Sequence, residues 1–297
     1  MRKVNMPVSA ALMERWFAGA LNFSPTEDDE RALVNQDGKP YPPSMYEMSL
    51  VKLDWVLRFP RAQEAYSQLA SYGKLASPHA LAVLRSILSS FRHPDRAFRT
   101  LGVCNGSLIE LHKRFQYQYQ PVESSFSQKL KQYAHTEYAS RGIPDDLTGA
   151  LGSFNFYAAP DCVQFSWNGS EALIHSVLIY IKDNYTFTDT PDQDSQYLGH
   201  WNCNGMVVVP YNVLVSTLGW HLPQIGNMQP LDEIEAANLW AKPAVTLGDP
   251  RKRGNVYYPV YNSSYREWQR VHKRGGDFVI FTDYKAVELN PPIKVQF

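Results

Sequence analysis

Cysteine is scarce: Cys104, Cys162 and Cys203 stand far apart, with no Cys-x-x-Cys pair in 297 residues. An odd count without a framework excludes a disulfide scaffold and points to synthesis in a reducing compartment. No set of four thiols and imidazoles at ligand spacing is present, which argues against a structural zinc site on the sequence. Neither sign of charge is in excess, since Lys+Arg and Asp+Glu number 29 each. The chain therefore offers no basic footprint for nucleic acid and no polybasic face for acidic lipid. No apolar run reaches the roughly 18 residues that would cross a bilayer, so no transmembrane segment is expected. The opening stretch is broken by Glu14 and Arg15 and does not read as a secretory signal. The expectation is a chain made in the cytoplasm without a signal peptide. Phosphate-cradling Gly-x-x-x-x-Gly-Lys-Ser/Thr, Gly-x-Gly-x-x-Gly, His-Glu-x-x-His and Gly-x-Ser-x-Gly are all missing. A nucleotide cofactor, a zinc protease and a serine hydrolase lose their usual support.

Apolar residues at 44% and aromatics at 13% are ample for a core. Residues 8–21 have helical periodicity, with Leu12, Trp16 and Ala20 on one side and Met13 and Phe17 beside them. Residues 24–43 are rich in turn formers and read as a long loop. Residues 50–59 fit either a strand or a helix. Residues 61–72 and 78–91 read as helices, the second with Ser77 placed to cap and Pro78 at its first position. Phe115, Tyr117 and Tyr119 alternate with polar residues as in a strand. Residues 124–140 return to helix. From about residue 146 strands dominate: 152–158, 162–167, 172–182, 206–214, 256–261, 277–281 and 286–289, with a short helix over 231–240. Ser264 and Glu267 have capping-box spacing for a helix ending near Arg274, with Gly275-Gly276 as its left-handed stop. The expected fold class is α+β: a mostly helical N-terminal region over 1–145 and a β-rich, mainly antiparallel C-terminal domain over 146–297.

Candidate chemistry gathers after the strand over 172–182. In extended geometry Leu173, Val177, Ile179 and Ile181 share a face, and Asp183, Tyr185, Phe187 and Asp189 would follow on it. The loop beyond carries Asp192 and Asp194 and ends in Leu198-Gly199-His200-Trp201. Hard divalent cations take oxygen ligands, so Asp183 and Asp189 are the candidate ligands for Mg2+. Neighbouring carboxylates also raise each other's proton affinity, which favours acid–base work. His200 is the candidate base and Tyr185 the residue that orients substrate. The bland alternative is a solvated acidic turn with a structural histidine. Asp277 either bonds nearby amides or acts in catalysis. Arg266, Arg270 and Arg274 form either a cationic strip for a phosphate or a solvated helix face.

The segments Met13-Glu14-Arg15-Trp16-Phe17, Asp146 to Phe154, Tyr180 to Phe187, Tyr197 to Trp201 and Gly275-Gly276-Asp277-Phe278 together resemble an uncharacterised proteobacterial family often encoded beside type VI secretion genes. That resemblance implies an effector exported without a signal peptide into the periplasm of target cells, with a secretion-apparatus tip protein or a cognate immunity protein as partner. Residues 150–200 are also similar to the catalytic half of colicin-M-type bacteriocins, which cleave the pyrophosphate linkage of lipid II with magnesium. Asp183 and Tyr185 match that family's Asp-x-Tyr-Asp. Thr186 replaces its second aspartate, Asp192 stands at its histidine position, and His200 precedes Trp201 where the family has arginine. The resemblances imply an antibacterial toxin of the cell envelope, a hydrolase of a lipid-linked peptidoglycan precursor using Asp183, Tyr185, Asp189 and His200. The alternative is a non-catalytic adaptor, chaperone or immunity-type binding protein of the secretion system.

Overall fold

A computed structural model describes residues 1–122, 145–189, 195–207, 244–246, 249 and 251–297. The fold class is α+β, with helices mainly in the N-terminal part and mainly antiparallel strands towards the C-terminus. The expected helices over 124–140 and 231–240, and the strand beyond Val207, lie outside the described residues. The compact units do not divide once near residue 145. They are interleaved: unit 1 takes 1–45, 123–152 and 185–278, and unit 2 takes 46–122, 153–184 and 279–297. The reason lies in pairing. The sheet of unit 2 recruits strands from both ends of the chain, and no turn signal reports which distant strands will join.

Unit 2 is built on an eight-stranded sheet in the order β1 (Tyr46–Glu47), β11 (Phe278–Phe281), β6 (Glu171–Tyr185), β4 (Phe154–Pro160), β3 (Gln118–Val122). Outside that path, β12 (Lys285–Gln296) and β5 (Cys162–Phe165) also pair with β6, and β2 (Ala97–Arg99) pairs with β5. The β1–β11 pair is parallel, while β6 meets β4, β5 and β12 antiparallel. The strand β12 runs further than the sequence implied. It passes through Pro291-Pro292, which fall where its register against β6 breaks between Glu288 and Ile293. Prolines cannot donate to a ladder and are tolerated at such a break.

Strand β6 was expected to present one apolar face. Residues Ser176 to Ile181 are instead all buried, so both faces are covered. The helices of the unit supply the cover: α3 (Leu53–Val56), α4 (Pro60–Ala70), α5 (Tyr72–Leu75), α6 (Pro78–Ser89), α7 (Thr100–Val103) and α8 (Leu108–Phe115). Tyr66 of α4 meets Phe156 edge-on at 5.8 Å, and His112 of α8 meets the neighbouring Tyr157 at 4.7 Å. Successive strand residues point to opposite faces, so α4 and α8 lie on opposite sides of the sheet. Residues 50–59 settle as helix α3 with Val56 fully buried. Ser77 accepts the Ala80 N–H and caps α6 as the sequence implied. Phe115 ends a helix, and strand β3 begins only at Gln118.

A row of rings crosses the sheet from its β3 edge. Tyr119 is 6.4 Å from Tyr157, Tyr157 is 6.2 Å from Tyr180, and Tyr180 is 6.5 Å from Phe281. His112 lies over this row, with its Nδ1 3.1 Å from the Tyr180 hydroxyl. Burial, helped by the charge of Lys182, lowers the His112 pKa to about 4.

Unit 1 contains α1 (Pro7–Ala18), α2 (Glu27–Ala32), α9 (Asp146–Leu151), α10 (Asn262–His272) and a four-stranded sheet. The sheet order is β8 (Gly205–Val207), β7 (Tyr197–Asn202), β10 (Val256–Tyr261), β9 (Val245–Thr246). Helix α2 occupies part of the expected loop. Thr26 accepts the Asp29 N–H, and four acidic residues fill the first turn, where the helix dipole favours them. The first turn of α1 is closed from far along the chain. The Asp146 carboxylate accepts Val8 N–H at 3.0 Å, Ser9 N–H at 2.9 Å and the Ser9 hydroxyl at 2.7 Å. Gly149 allows the approach, because a Cβ there would sit 2.2 Å from the Met6 side chain. Helix α10 starts at Asn262, and the Ser264 hydroxyl accepts the Tyr261 N–H. Its left-handed stop is Lys273, with φ 52°, rather than the glycine pair.

Because the fold holds His112 neutral, its contribution is intact above pH about 6.5 and is lost as pH falls towards about 4. Unfolding of the protein between pH 7 and 4 is expected to show a stability loss of up to ~3 kcal/mol that His112→Leu removes. Denaturant melts across that window check it.

Candidate functional site

Asp277 in unit 1 is a buried carboxylate, 1% exposed. Trp16 Nε1–H donates to its Oδ1 at 2.9 Å, and Arg266 Nη2 donates to its Oδ2 at 2.7 Å. The same guanidinium reaches Phe187 O at 3.1 Å, the Thr188 hydroxyl at 2.9 Å and Gln269 Oε1 at 2.8 Å. Gln269 in turn donates to Gly275 O at 2.8 Å. Burial pushes the Asp277 carboxyl up, against the lowering pull of Arg266 and of the bonds from Arg266 and Trp16. Gly275 and Gly276 make the node possible. A Cβ on Gly275 would meet Gln269 and Trp16 at 2.9 Å, and one on Gly276 would meet Ala20 O at 2.8 Å. Around it pack the rings of Trp16, Phe187 and Tyr265, the last two stacked at 3.8 Å between centroids.

The residues expected to carry chemistry take these places. Tyr185 is buried, stacked on Phe278 at 4.9 Å, with its hydroxyl 3.8 Å from Met13 Sδ. Burial, with the nearby Tyr265, raises its pKa well above the ordinary phenol range. Asp189 Oδ1 accepts Asn262 Nδ2–H at 2.8 Å and Gln196 N–H at 3.1 Å, tying the strand-to-helix connection together. His200 is fully buried on β7, its Nδ1 hydrogen-bonded to the Tyr197 hydroxyl. All three belong to unit 1, whereas Asp183 belongs to unit 2. Asp183 is half-buried near the end of β6, where its charge adds to the burial that raises the Tyr157 pKa. Asp192 and Asp194 lie outside the described residues. Among the described residues no group of three or more His, Cys, Asp or Glu is arranged to hold a metal ion.

The three arginines of the strip have separate partners. Arg266 serves Asp277, Arg270 pairs with Glu267 at 2.6 Å, and Arg274 donates to Ala18 O at 3.2 Å. The cysteines are free thiols, with Cys104 buried and Cys203 exposed.

An open cavity of about 590 Å³ lies beside Trp201, the residue after His200. Met13 and Phe17 of α1 line it together with Trp201, and Arg2, Lys3 and Glu14 supply its charge. Arg2 grips Glu14 through two bonds of 2.9 and 2.6 Å, and Lys3 Nζ donates to Cys203 O at 3.1 Å. Apolar walls with a few charged groups are what a small-ligand or peptide site needs. Sequence reasoning missed both this cavity and the Asp277 node. Their parts lie far apart in the chain, and the local signal was the glycine pair before Asp277.

All 297 residues match one family. The chain belongs to DUF6402. It is a family of unknown function, and its match runs over residues 1–297. No curated protein and no solved structure matches the chain.

Removing Arg266 would leave the buried Asp277 without its cation while the charge of Glu30 still acts on it. Arg266→Ala is expected to destabilise the protein by ~3 kcal/mol, since stripping one partner from a buried pair is far costlier than losing a surface pair. The uncompensated carboxyl then folds best protonated, so the loss grows as pH rises from 5 to 8. Urea melts at both ends of that range check the magnitude and the sign.

Proposed function

We propose that this DUF6402 chain is a non-catalytic binding protein of the adaptor, chaperone or immunity type, working beside a type VI secretion apparatus. One observation carries the reading: the side chains best suited to chemistry are spent on holding unit 1 together. Tyr185 lies in an aromatic stack, Asp189 fastens Asn262 and the Gln196 amide, and His200 is shielded from solvent. A general base must reach the proton it removes, and a fully shielded imidazole does not meet incoming water. The link to secretion rests on the resemblance of the segments around Trp16, Asp146, Tyr185, His200 and Asp277. The open cavity beside Trp201 gives such a protein a concave surface for a ligand or chain segment.

The rival reading is an antibacterial effector that cleaves a lipid-linked pyrophosphate in the periplasm of a target cell. It assigns magnesium to Asp183 and Asp189, proton transfer to His200 and substrate orientation to Tyr185. Expression of the protein in the periplasm, wild type against Asp183→Ala and Asp189→Ala, separates the two. The binding reading expects the same growth and intact peptidoglycan precursors in all three cultures, and unchanged co-purification with the product of a neighbouring gene. Growth arrest by the wild type that Asp183→Ala abolishes would establish the effector instead.

A further inference from the structure

The turn between β5 and β6 is built to hold one large side chain in water. Asn168 Oδ1 accepts the Ser170 N–H at 3.0 Å and the hydroxyls of Ser166 and Ser170, each at 2.8 Å. Ser166 Oγ accepts the Glu171 N–H, and Arg92 Nε donates to Gly169 O at 2.6 Å. Gly169 has φ +67°, the left-handed conformation this turn requires. On this fixed loop Trp167 is 82% exposed, more than any other large apolar side chain among the described residues. Single exposed apolar residues are ordinary, but an indole on a turn pinned by this many bonds has little freedom left to lose on binding.

Beside the turn lies a layer of phenylalanines roofed by arginines. Phe91 stacks on Phe98 at 5.6 Å and Phe98 on Phe165 at 6.4 Å. Arg96 lies 5.1 Å from the Phe98 centroid, Arg92 5.5 Å from Phe297 and Arg114 5.4 Å from Phe115. None of these three guanidiniums forms an ion pair with a carboxylate among the described residues. Each makes a bond to a backbone carbonyl: Arg92 to Gly169, Arg96 to Phe91 at 3.4 Å and Arg114 to Val103 at 3.5 Å. Among the described residues most of their N–H donors have no protein acceptor. The acidic groups packed against the same turn are Asp95, whose amide bonds Ser166 O, and Glu171, which is bonded to Gln296. A guanidinium carries its donors in a planar fork that can grip a carboxylate with two bonds.

We propose that Trp167 with Arg92, Arg96 and Arg114 forms a docking surface for a protein that presents an apolar socket rimmed by carboxylates. Tryptophan and arginine are the side chains that most often dominate protein interfaces. A nucleic-acid strand would want a continuous basic track and several stacking rings, whereas here one indole projects beside three separate cations. The surface lies wholly in unit 2 and serves an adaptor and an effector alike, so it stands independently of the reading above.

The test uses the full chain and a dye-labelled synthetic peptide in which glutamates alternate with leucine and phenylalanine. Its lysine-for-glutamate counterpart, oligothymidylate and phosphatidylglycerol vesicles run in parallel. Fluorescence anisotropy is expected to show saturable binding of the acidic peptide alone, weakening with salt. Trp167→Ala and Arg96→Glu should each weaken it by about tenfold or more, with circular dichroism unchanged. Absent binding, binding indifferent to both substitutions, or tighter binding to oligothymidylate or vesicles overturns the proposal. So does self-association in sedimentation that Trp167→Ala abolishes, which would put a second copy of the chain on this face.

Discussion

A single buried carboxylate governs unit 1. Asp277 has no water to share its charge, and it is satisfied by an indole from α1 and a guanidinium from α10. Burying an ion is costly unless its lone pairs are filled, so these elements must arrive together or not at all. Arg266 extends the constraint to Phe187 and Thr188, which fixes the course of the chain as it leaves β6. The glycines before Asp277 follow from the same demand, because side chains there would overlap Gln269, Trp16 and the Ala20 carbonyl.

The same demand draws together the segments that the sequence singled out. The Trp16 segment, the Tyr185–Phe187 segment and the glycine-pair segment meet at one aromatic core. The Asp146–Gly149 segment closes the start of α1 with a carboxylate that accepts its first amides and with a glycine where the helices touch. Chemically versatile residues are also good fasteners, since an aspartate or an arginine can fill several bonds at once. Their types and spacing do not say which use prevails. Exposure and bond partners decide.

Much of the fold was legible wherever local rules sufficed. The Ser77-Pro78 start of α6, the buried run of β6 and the bounds of β10 follow from capping and periodicity. The short helix α2 was hidden because its residues carry almost no apolar signal and are stabilised by Thr26 and a charged first turn. The interleaving of the units was illegible for a different reason: strand order is a long-range property. Period-two alternation also could not reveal that β6 is covered on both faces, since Ser176 and Tyr180 are polar-edged residues that bury well when paired. For the candidate site, the sequence grouped Tyr185, Asp189 and His200 by spacing alone, and spacing does not report that Tyr185 and His200 are buried or that Asp189 is bonded to Asn262.

The closure of α1 by Asp146, and of Trp16 onto an aspartate 261 residues later, has a consequence for biogenesis. A ribosome releases the chain from its first residue onward, and domains that fold as they emerge need their contacts close in sequence. Here the first amphipathic helix reaches its final neighbours only after residue 277 has been added, and the sheet of unit 2 waits for β12. Trp16 and Phe17 can take up their final packing only once residues as distant as Trp268 and Asp277 have joined them, so the burial of this helix is a late event in folding.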